Sequence, residues 1–343
     1  MENRDVIRIT DRTLSCVDDR SSDKSALERF LHFLIRMDPG AIELSEKICR
    51  LLSPLPEYLY ILRIKNTADA KKYPADTYPH IMEFVCRNVP ASAPIDAREK
   101  IRAEISLNNT LKASSETIAR YAGYTKVRIQ GLDNIMCDDY IRAFECLKKS
   151  FNGSDERIEF CPRNHFNCAT ALAAEWITSG AGTNIVTSFG GIGGFAPSEE
   201  LIMILREYRL RGENKIYKFF PEMARLFHRL TKKNVSLNKP IIGSRIFHVE
   251  SGVHVDGILK QPKSYEPFAP EIVGQKRKIV LGKHSGTASI IAKLSEFDIK
   301  CPQDNIPLIL EQIKNKAVEE NGEVTDWDFV KLLKEQNARE RGS

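Results

Sequence analysis

Cysteine and histidine side chains lie at a spacing that could bind a metal ion between positions 161 and 168. Cys161, His165 and Cys168 form the pattern Cys-x3-His-x2-Cys, and thiolate and imidazole are ligands that suit zinc. A free cysteine is usually a small buried hydrophobic residue, and Arg163 adds a positive charge that opposes a cation. The pattern therefore leaves two interpretations open, a soft-metal site or ordinary buried cysteines.

A second candidate is the glycine-rich run Gly190-Gly191-Ile192-Gly193-Gly194. The backbone N–H groups of such a turn can cradle a phosphate group, which makes Gly191 and Gly193 candidate ligand contacts. The same run is also typical of a tight turn after a strand, where glycine tolerates a positive φ. The run therefore marks a strand end but does not choose between the two roles.

Alternating strands and helices must position these residues. Helices are predicted over residues 25–37, 115–122, 138–150, 167–179 and 198–209, from apolar residues that recur on one helix face. Eight β-rich runs predict the strands Val6–Thr10, Ala41–Leu44, Tyr58–Leu62, Ile81–Val85, Ile101–Leu107, Lys126–Gln130, Arg157–Phe160 and Asn184–Ser188. Such alternation predicts an α/β fold with a parallel sheet, and eight units predict a (β/α)8 TIM barrel. The chemistry of that fold lies after the carboxyl ends of the strands, where Glu104 and Asn108 are expected at the barrel mouth.

The pattern changes after the barrel, which we predict to span residues 1–212. Residues 213–240 are predicted to hold a connector helix, within the helical stretch 216–232. Residues 241–288 are rich in Gly, Pro, His and Ser and predict an irregular lid and linker segment. Residues 289–343 return to a helical pattern and predict a small helical C-terminal subdomain.

Composition excludes several classes of protein. The chain has 343 residues, 42% hydrophobic and 28% charged, which is typical of a globular protein and not of a disordered one. Its net charge of +5 is spread over interspersed basic and acidic residues, which does not indicate nucleic-acid binding. No apolar run approaches the ~20 residues of a membrane helix. No signal segment is apparent at the N-terminus, so we expect a cytoplasmic protein whose eight cysteines are reduced thiols.

The stretch 250–286, ESGVHVDGILKQPKSYEPFAPEIVGQKRKIVLGKHSG, closely resembles the lid and flanking region of homocitrate synthase. The rest of the chain resembles this family in order and spacing over nearly its full length. The broader group of similar proteins includes 2-isopropylmalate synthase. Asp11-Arg12-Thr13-Leu14 resembles the opening of the family's first strand. This resemblance implies a TIM barrel that condenses acetyl-CoA with a 2-oxo acid in a metal-dependent Claisen reaction. It also implies dimers in which one protomer's lid covers the other's barrel, and CoA as the ligand of Gly191 and Gly193.

The family's metal ligands are replaced at the matching positions. The family has an Arg-Asp pair after strand one, and this sequence has Ser15 and Cys16 there. The His-x-His pair after strand seven becomes Cys161-Pro162-Arg163, and the Asn near strand eight becomes Gly190. The resemblance therefore predicts no divalent metal in this barrel, with zinc at Cys16 and Cys161 as the alternative.

The lid residues that act in the family are retained. The family's lid carries a His and a Tyr that reach the partner's active site and assist proton transfer, and they match His254 and Tyr265. Glu250 is also retained, while the His usually before it is Val249. Histidine and tyrosine are suited to donating and accepting protons in enol chemistry. The resemblance thus implies catalytic roles for His254, Tyr265 and Glu250 on a partner subunit.

Two functions follow from this contrast. The first is a homocitrate synthase-like accessory subunit without catalysis of its own, which pairs with an active paralogue and supplies that paralogue's lid in trans. The second is a divergent acyltransferase that condenses acetyl-CoA with a 2-oxo acid by another metal or route. Decay without selection would erode barrel and lid alike, so the intact lid beside an altered barrel favours the accessory subunit. The partner would be a second copy of this chain or the paralogue. We expect binding neither to nucleic acid nor to a membrane.

Overall fold

The computed structural model describes residues 7–17, 23–90, 95–107, 121, 123–132, 135–137, 139–151 and 157–342, with the backbone alone at 95–97, 137 and 337–342. Asn108 and nearly all of the predicted helix 115–122 lie outside the described residues. The chain divides into two compact units. The first comprises Met1–Lys215, Glu222–Val235 and Pro240–Ile242, and the second comprises Ile216–Pro221, Ser236–Lys239 and Gly243–Ser343.

Eight parallel strands of the first unit close into a barrel, with β8 beside β1. The strands are β1 (Arg8–Asp11), β2 (Gly40–Ser45), β3 (Tyr60–Asn66), β4 (Ile81–Asn88), β5 (Ile101–Leu107), β6 (Lys126–Gly131), β7 (Ile158–Pro162) and β8 (Asn184–Thr187). The predicted TIM barrel is confirmed, and each predicted strand overlaps an observed one. β3 and β4 run on to Asn66 and Asn88, because polar residues outside the apolar pattern continue the ladder between them.

Helices follow most strands, as the α/β pattern predicts. The α-helices are α1 (Thr13–Cys16), α2 (Lys24–Met37), α3 (Glu46–Leu52), α4 (Ile95–Lys100), α5 (Tyr140–Ser150), α6 (Ala169–Thr178), α7 (Ser198–Glu207), α8 (Phe220–Thr231), α9 (Gly252–Lys260), α10 (Thr287–Glu296), α11 (Ile306–Glu319) and α12 (Asp326–Gly342). Short 3-10 turns lie at Thr67–Lys72, Ile135–Cys137, Phe189–Gly191, Pro262–Ser264, Pro270–Val273 and Gln303–Asn305. Within the described residues, no helix combines the length and apolarity needed to cross a membrane.

Helix α2 shows how the sequence sets a helix of the barrel. The Asp23 carboxylate accepts the Ala26 backbone N–H at 3.0 Å and caps the helix start. Leu27, Phe30 and Leu34 recur on one face and are fully buried. The helix ends where Asp38 takes a left-handed conformation with φ of 55°.

The stretch 216–232 differs from the predicted single helix, because α8 begins only at Phe220. The Tyr217 backbone N–H donates to the Ile272 carbonyl at 2.6 Å, within the second unit. The Tyr217 ring also stacks on Phe220, with the ring centroids 5.0 Å apart. These tertiary contacts hold the segment before α8 in an irregular conformation that a helical periodicity cannot reveal.

The second unit has its own apolar core and a short parallel ladder. Ile290, Ile309, Ile313 and Phe329 on α10, α11 and α12 are buried together. The ladder pairs β9 (His248–Val249) with β10 (Lys278–Ile279). The unit therefore carries the predicted lid sequence on a packed helical base.

Candidate functional site

Charged side chains fill the interior of the barrel. Glu104, Arg128 and Glu159 are in register on the adjacent strands β5, β6 and β7. Arg128 Nε lies 2.6 Å from Glu159 Oε2, and Arg128 also pairs with Glu43 of β2. Arg63 of β3 completes the group, with Nη2 2.5 Å from Glu104 Oε2 and Nε 2.8 Å from Glu43 Oε1. We call these five residues the interior charge cluster.

The interior charge cluster is held ionised. Burial by itself would raise the pKa of Glu43, but Arg128, Arg63 and Arg12 outweigh it and hold that pKa well below its ordinary value. Burial is likewise outweighed by Arg63 at Glu104 and by Arg102 and Arg128 at Glu159, so both pKa values are lowered. Carboxylates held ionised by arginines are poor general acids and bases near neutral pH.

The first-strand loop brings Arg12 into the mouth of the barrel. Arg12 Nη1 donates to Gln130 Oε1 at 3.3 Å and to Cys161 Sγ at 3.6 Å. Its guanidinium lies over the Phe195 ring, 4.0 Å from the centroid. Ser15, at the position of the family's Arg, donates its hydroxyl to Glu43 Oε1 at 2.6 Å. The loop therefore places a cation and a hydroxyl above the interior charge cluster.

The sequence-predicted positions Cys16 and Cys161 do come together, in one apolar group with Val186 and Phe195. Burial raises the pKa of Cys16, and it raises that of Cys161 to about 12. Without a metal, both sulfurs are thus neutral thiols, and zinc would have to displace their protons in order to bind them. Arg163 also contacts the Phe195 ring, with its guanidinium carbon 4.8 Å from the ring centroid.

The spacing Cys161-x3-His165-x2-Cys168 does not form a ligand group. Cys161 is buried, His165 is exposed, and Cys168 lies immediately before α6 with its thiol 3.3 Å from the Phe166 carbonyl. In the part of the chain that the structure describes, no three His, Cys, Asp or Glu side chains converge as a metal site would require. The spacing in the sequence suggested a ligand group, but the turn between β7 and α6 holds the three side chains apart.

Cys161 is expected to react with iodoacetamide about a thousandfold more slowly than an ordinary exposed thiol. Its pKa of about 12, against ~8.5 for a free cysteine, leaves little thiolate to react near neutral pH. Mass spectrometry of the alkylated peptides measures the rate, with the half-buried Cys168 as internal comparison. Equal rates for both in the folded protein, or protection of Cys161 by added zinc, would contradict this assignment.

The glycine-rich turn packs closely around Phe195. Gly193 has a φ of +77°, and a Cβ there would lie 2.7 Å from the Phe195 ring and 3.1 Å from Cys16 Sγ, so only glycine fits. The N–H groups of Gly190, Gly191 and Gly194 donate to Glu199 Oε2, the Ser188 carbonyl and the Gly191 carbonyl. These amides serve the turn itself, and CoA binding by Gly191 and Gly193 remains a prediction.

The lid residues His254 and Tyr265 lie together on the surface of the second unit. His254 is on α9 and exposed, Tyr265 is 45% exposed, and their ring centroids are 5.7 Å apart. The Tyr265 ring lies directly against Gly257, where a Cβ would be only 2.2 Å from the phenolic oxygen. The lid thus presents an imidazole and a phenol side by side in an accessible position.

Glu250 has a different environment from the two lid rings. Its Oε1 accepts the His284 backbone N–H at 2.7 Å, and a Cβ at Gly282 would lie 2.5 Å from the same oxygen. Its carbonyl accepts the Ser289 hydroxyl at 3.1 Å, at the start of α10. Glu250 therefore ties the segment before α9 to the turn before α10.

The interior charge cluster was missed by reasoning from the sequence, except for Glu104. The available signal was a set of opposite charges at matching depths of consecutive strands, such as Arg128 on β6 and Glu159 on β7. Glu104, predicted at the barrel mouth, accepts hydrogen bonds from Arg63. Residue 108 itself lies outside the described residues.

Comparison with known proteins finds similarity to proteins named homocitrate synthase and 2-isopropylmalate synthase. Residues 241–321 match a sequence model of the family described as homocitrate synthase post-HMGL domain-like. The chain is 35% identical over 214 residues to the homocitrate synthase omega subunit of Clostridium pasteurianum, covering 62% of this chain and 58% of that protein. It is 31% identical over 219 residues to 2-isopropylmalate synthase 2 of Caldanaerobacter subterraneus subsp. tengcongensis, covering 63% and 56%.

The chain thus spans little more than half the length of these two relatives. Among solved structures, hydroxymethylglutaryl-CoA lyase from Pseudomonas aeruginosa is similar at a TM-score of 0.50 and 12% identity, covering 67% of this chain and 94% of that one. At this identity the similarity concerns the barrel fold alone.

Proposed function

Because the chain belongs to the homocitrate synthase and 2-isopropylmalate synthase family, we propose that it is a non-catalytic accessory subunit. In this proposal it pairs with a catalytic paralogue and supplies His254 and Tyr265 to that paralogue's active site in trans. The proposal joins two features of the chain, an occupied barrel mouth and an exposed lid.

The packing of Phe195 carries the proposal. The ring contacts the guanidinium groups of both Arg12 and Arg163, and the thiols Cys16 and Cys161 belong to the same cluster. A hard divalent cation requires oxygen or imidazole ligands, and a cation is repelled by two fixed positive charges. The metal of the family therefore does not fit the side chains at these positions.

The lid supports the second half of the proposal. His254 and Tyr265 face solvent on the second unit, so a partner can reach both rings. Glu250 supports them as a positioning residue, since its carboxylate holds the turn at His284. The relative from Clostridium pasteurianum is itself named a subunit, which agrees with a protein that works in an assembly.

The alternative is a divergent acyltransferase that condenses acetyl-CoA with a 2-oxo acid. One observation favours it. The Ser106 hydroxyl on β5 is buried and accepts or donates no hydrogen bond among the described residues. An unpartnered hydroxyl in a barrel that also holds Arg12 and Arg63 is suited to binding a carboxylate substrate.

Reconstitution distinguishes the two functions. The chain, a paralogue with the family's carboxylate and His-x-His ligands, and their co-purified mixture are each assayed for CoA release from acetyl-CoA with several 2-oxo acids. We expect no release from the chain alone, a stoichiometric complex, and faster release from the complex than from the paralogue. Turnover by the chain alone would establish the acyltransferase, and failure to form a complex would refute the accessory role.

A further inference from the structure

A second polar region lies at the carboxyl ends of β2, β3 and β4, in the first unit. It is a cleft of about 580 Å³, within the size range of small-molecule sites. Five basic side chains and one carboxylate line it, namely Lys47, Arg50, Arg63, Lys65, Arg87 and Glu46. We call it the basic cleft.

Two of the charged groups in the basic cleft already have partners. Arg63 is paired with Glu43 and Glu104 of the interior charge cluster. Glu46 accepts the Tyr73 hydroxyl at 3.1 Å and is the single carboxylate in the lining. The cleft therefore has almost no negative charge of its own to balance its lysines and arginines.

The other four cations are exposed and share this one concave surface. Lys47, Arg50, Lys65 and Arg87 make no ion pair with any residue that the structure describes. Lys72, on the 3-10 turn Thr67–Lys72, by contrast pairs with Asp69 at 2.6 Å. Four like charges gathered in a cleft raise the local potential, which concentrates anions there.

We propose that the basic cleft binds a small polyanion with three or more negative charges, carried by phosphate or carboxylate groups. Two arginines provide planar forks for phosphate or carboxylate oxygens, and two lysines provide point charges. The volume of about 580 Å³ is sufficient for a diphosphate or tricarboxylate compound. The site needs no residue of the second unit, so the inference does not depend on the proposed accessory function.

Calorimetric titration of the full chain with inorganic pyrophosphate and, separately, with citrate tests the inference. The variants are Arg50→Gln, Lys65→Gln and the double variant, all at exposed positions whose loss leaves no buried group unpaired. We expect each single variant to weaken binding about fivefold and the double variant about 25-fold, since an exposed charge contact contributes ~1 kcal/mol. Added salt should weaken binding by the wild type as well.

Arg209→Gln is the matched control, because Arg209 is an exposed arginine of the first unit outside the cleft. Preference for pyrophosphate would identify a phosphate ligand, and preference for citrate a polycarboxylate. The inference is overturned if neither probe binds the wild type. It is also overturned if Arg209→Gln weakens binding as much as the cleft variants do, because binding would then reflect net charge alone.

Discussion

Replacing Arg128 by Met is expected to lower the free energy of unfolding of the barrel by about 3–5 kcal/mol. The Arg128 side chain is fully buried and pairs with Glu43, with Glu104 at 3.6 Å and with Glu159 at 2.6 Å. Methionine fills a similar volume but leaves these carboxylates short of one positive charge in a buried interior. Urea unfolding followed by tryptophan fluorescence measures the loss. The buried Trp176 reports on the barrel, whereas Trp327 is already 69% exposed.

Arg209→Met is the control for this experiment, because Arg209 pairs with Glu213 at 3.5 Å on the exposed surface. Such a pair contributes at most ~1 kcal/mol. The double variant Arg128→Met, Glu43→Gln should recover part of the loss, since it also removes a carboxylate that the arginine neutralised. A loss below ~1 kcal/mol in Arg128→Met would mean that the interior charge cluster does not stabilise the barrel.

The loss of unfolding free energy in Arg128→Met is expected to depend on pH in one direction. Burial by itself would raise the pKa of Glu43, but the nearby arginines, Arg128 above all, lower it in the folded protein. The pairing thus contributes stability above the unfolded pKa of ~4.3 and loses it as the pH falls through the folded pKa. The difference in the free energy of unfolding between wild type and Arg128→Met should therefore be largest near neutral pH and should become smaller in acid.

Changing the lid is expected to have the largest effect on activity, under the proposed accessory function. His254→Ala should lower turnover of the mixed complex by about 10²–10⁴-fold, the usual contribution of a general acid or base. Tyr265→Phe should lower it in the same range, and it retains the ring that packs on Gly257. The measurement is CoA release by the complex, after its stoichiometry has been verified by sedimentation.

Asp256→Asn is the matched control, because Asp256 is exposed on α9 and pairs only with Lys260, at 2.7 Å, among the described residues. It should leave both assembly and turnover unchanged. Unchanged turnover in a verified complex that contains His254→Ala would exclude the proposed role in trans. Loss of the complex itself would instead assign His254 to the interface.

Much of the barrel could be predicted from the sequence, because strand and helix periodicity are local properties of the chain. All eight predicted strands overlap observed ones, and α2 begins and ends within a residue of its predicted bounds. The stretch before α8 could not be predicted in this way, since the Tyr217 N–H bonds to Ile272, which is distant in the sequence. The spacing of residues 161–168 did not reveal whether these side chains meet, because the segment spans a strand end and a turn whose shape depends on tertiary contacts.

The sequence by itself determined the fold class, the resemblance to homocitrate synthase and the match of His254 and Tyr265 to its lid residues, because each depends on residue types in a fixed order. Only the tertiary structure decided what fills the barrel. Closure of the sheet brings Glu43 of β2 to Arg128 of β6, 85 positions away in the chain, while Glu159 reaches Arg128 from the neighbouring strand β7. Likewise, only closure sets Phe195 against Arg12 and Cys161. Buried charges are stable only when opposite charges meet them, and that meeting is a property of the closed barrel and not of any one strand.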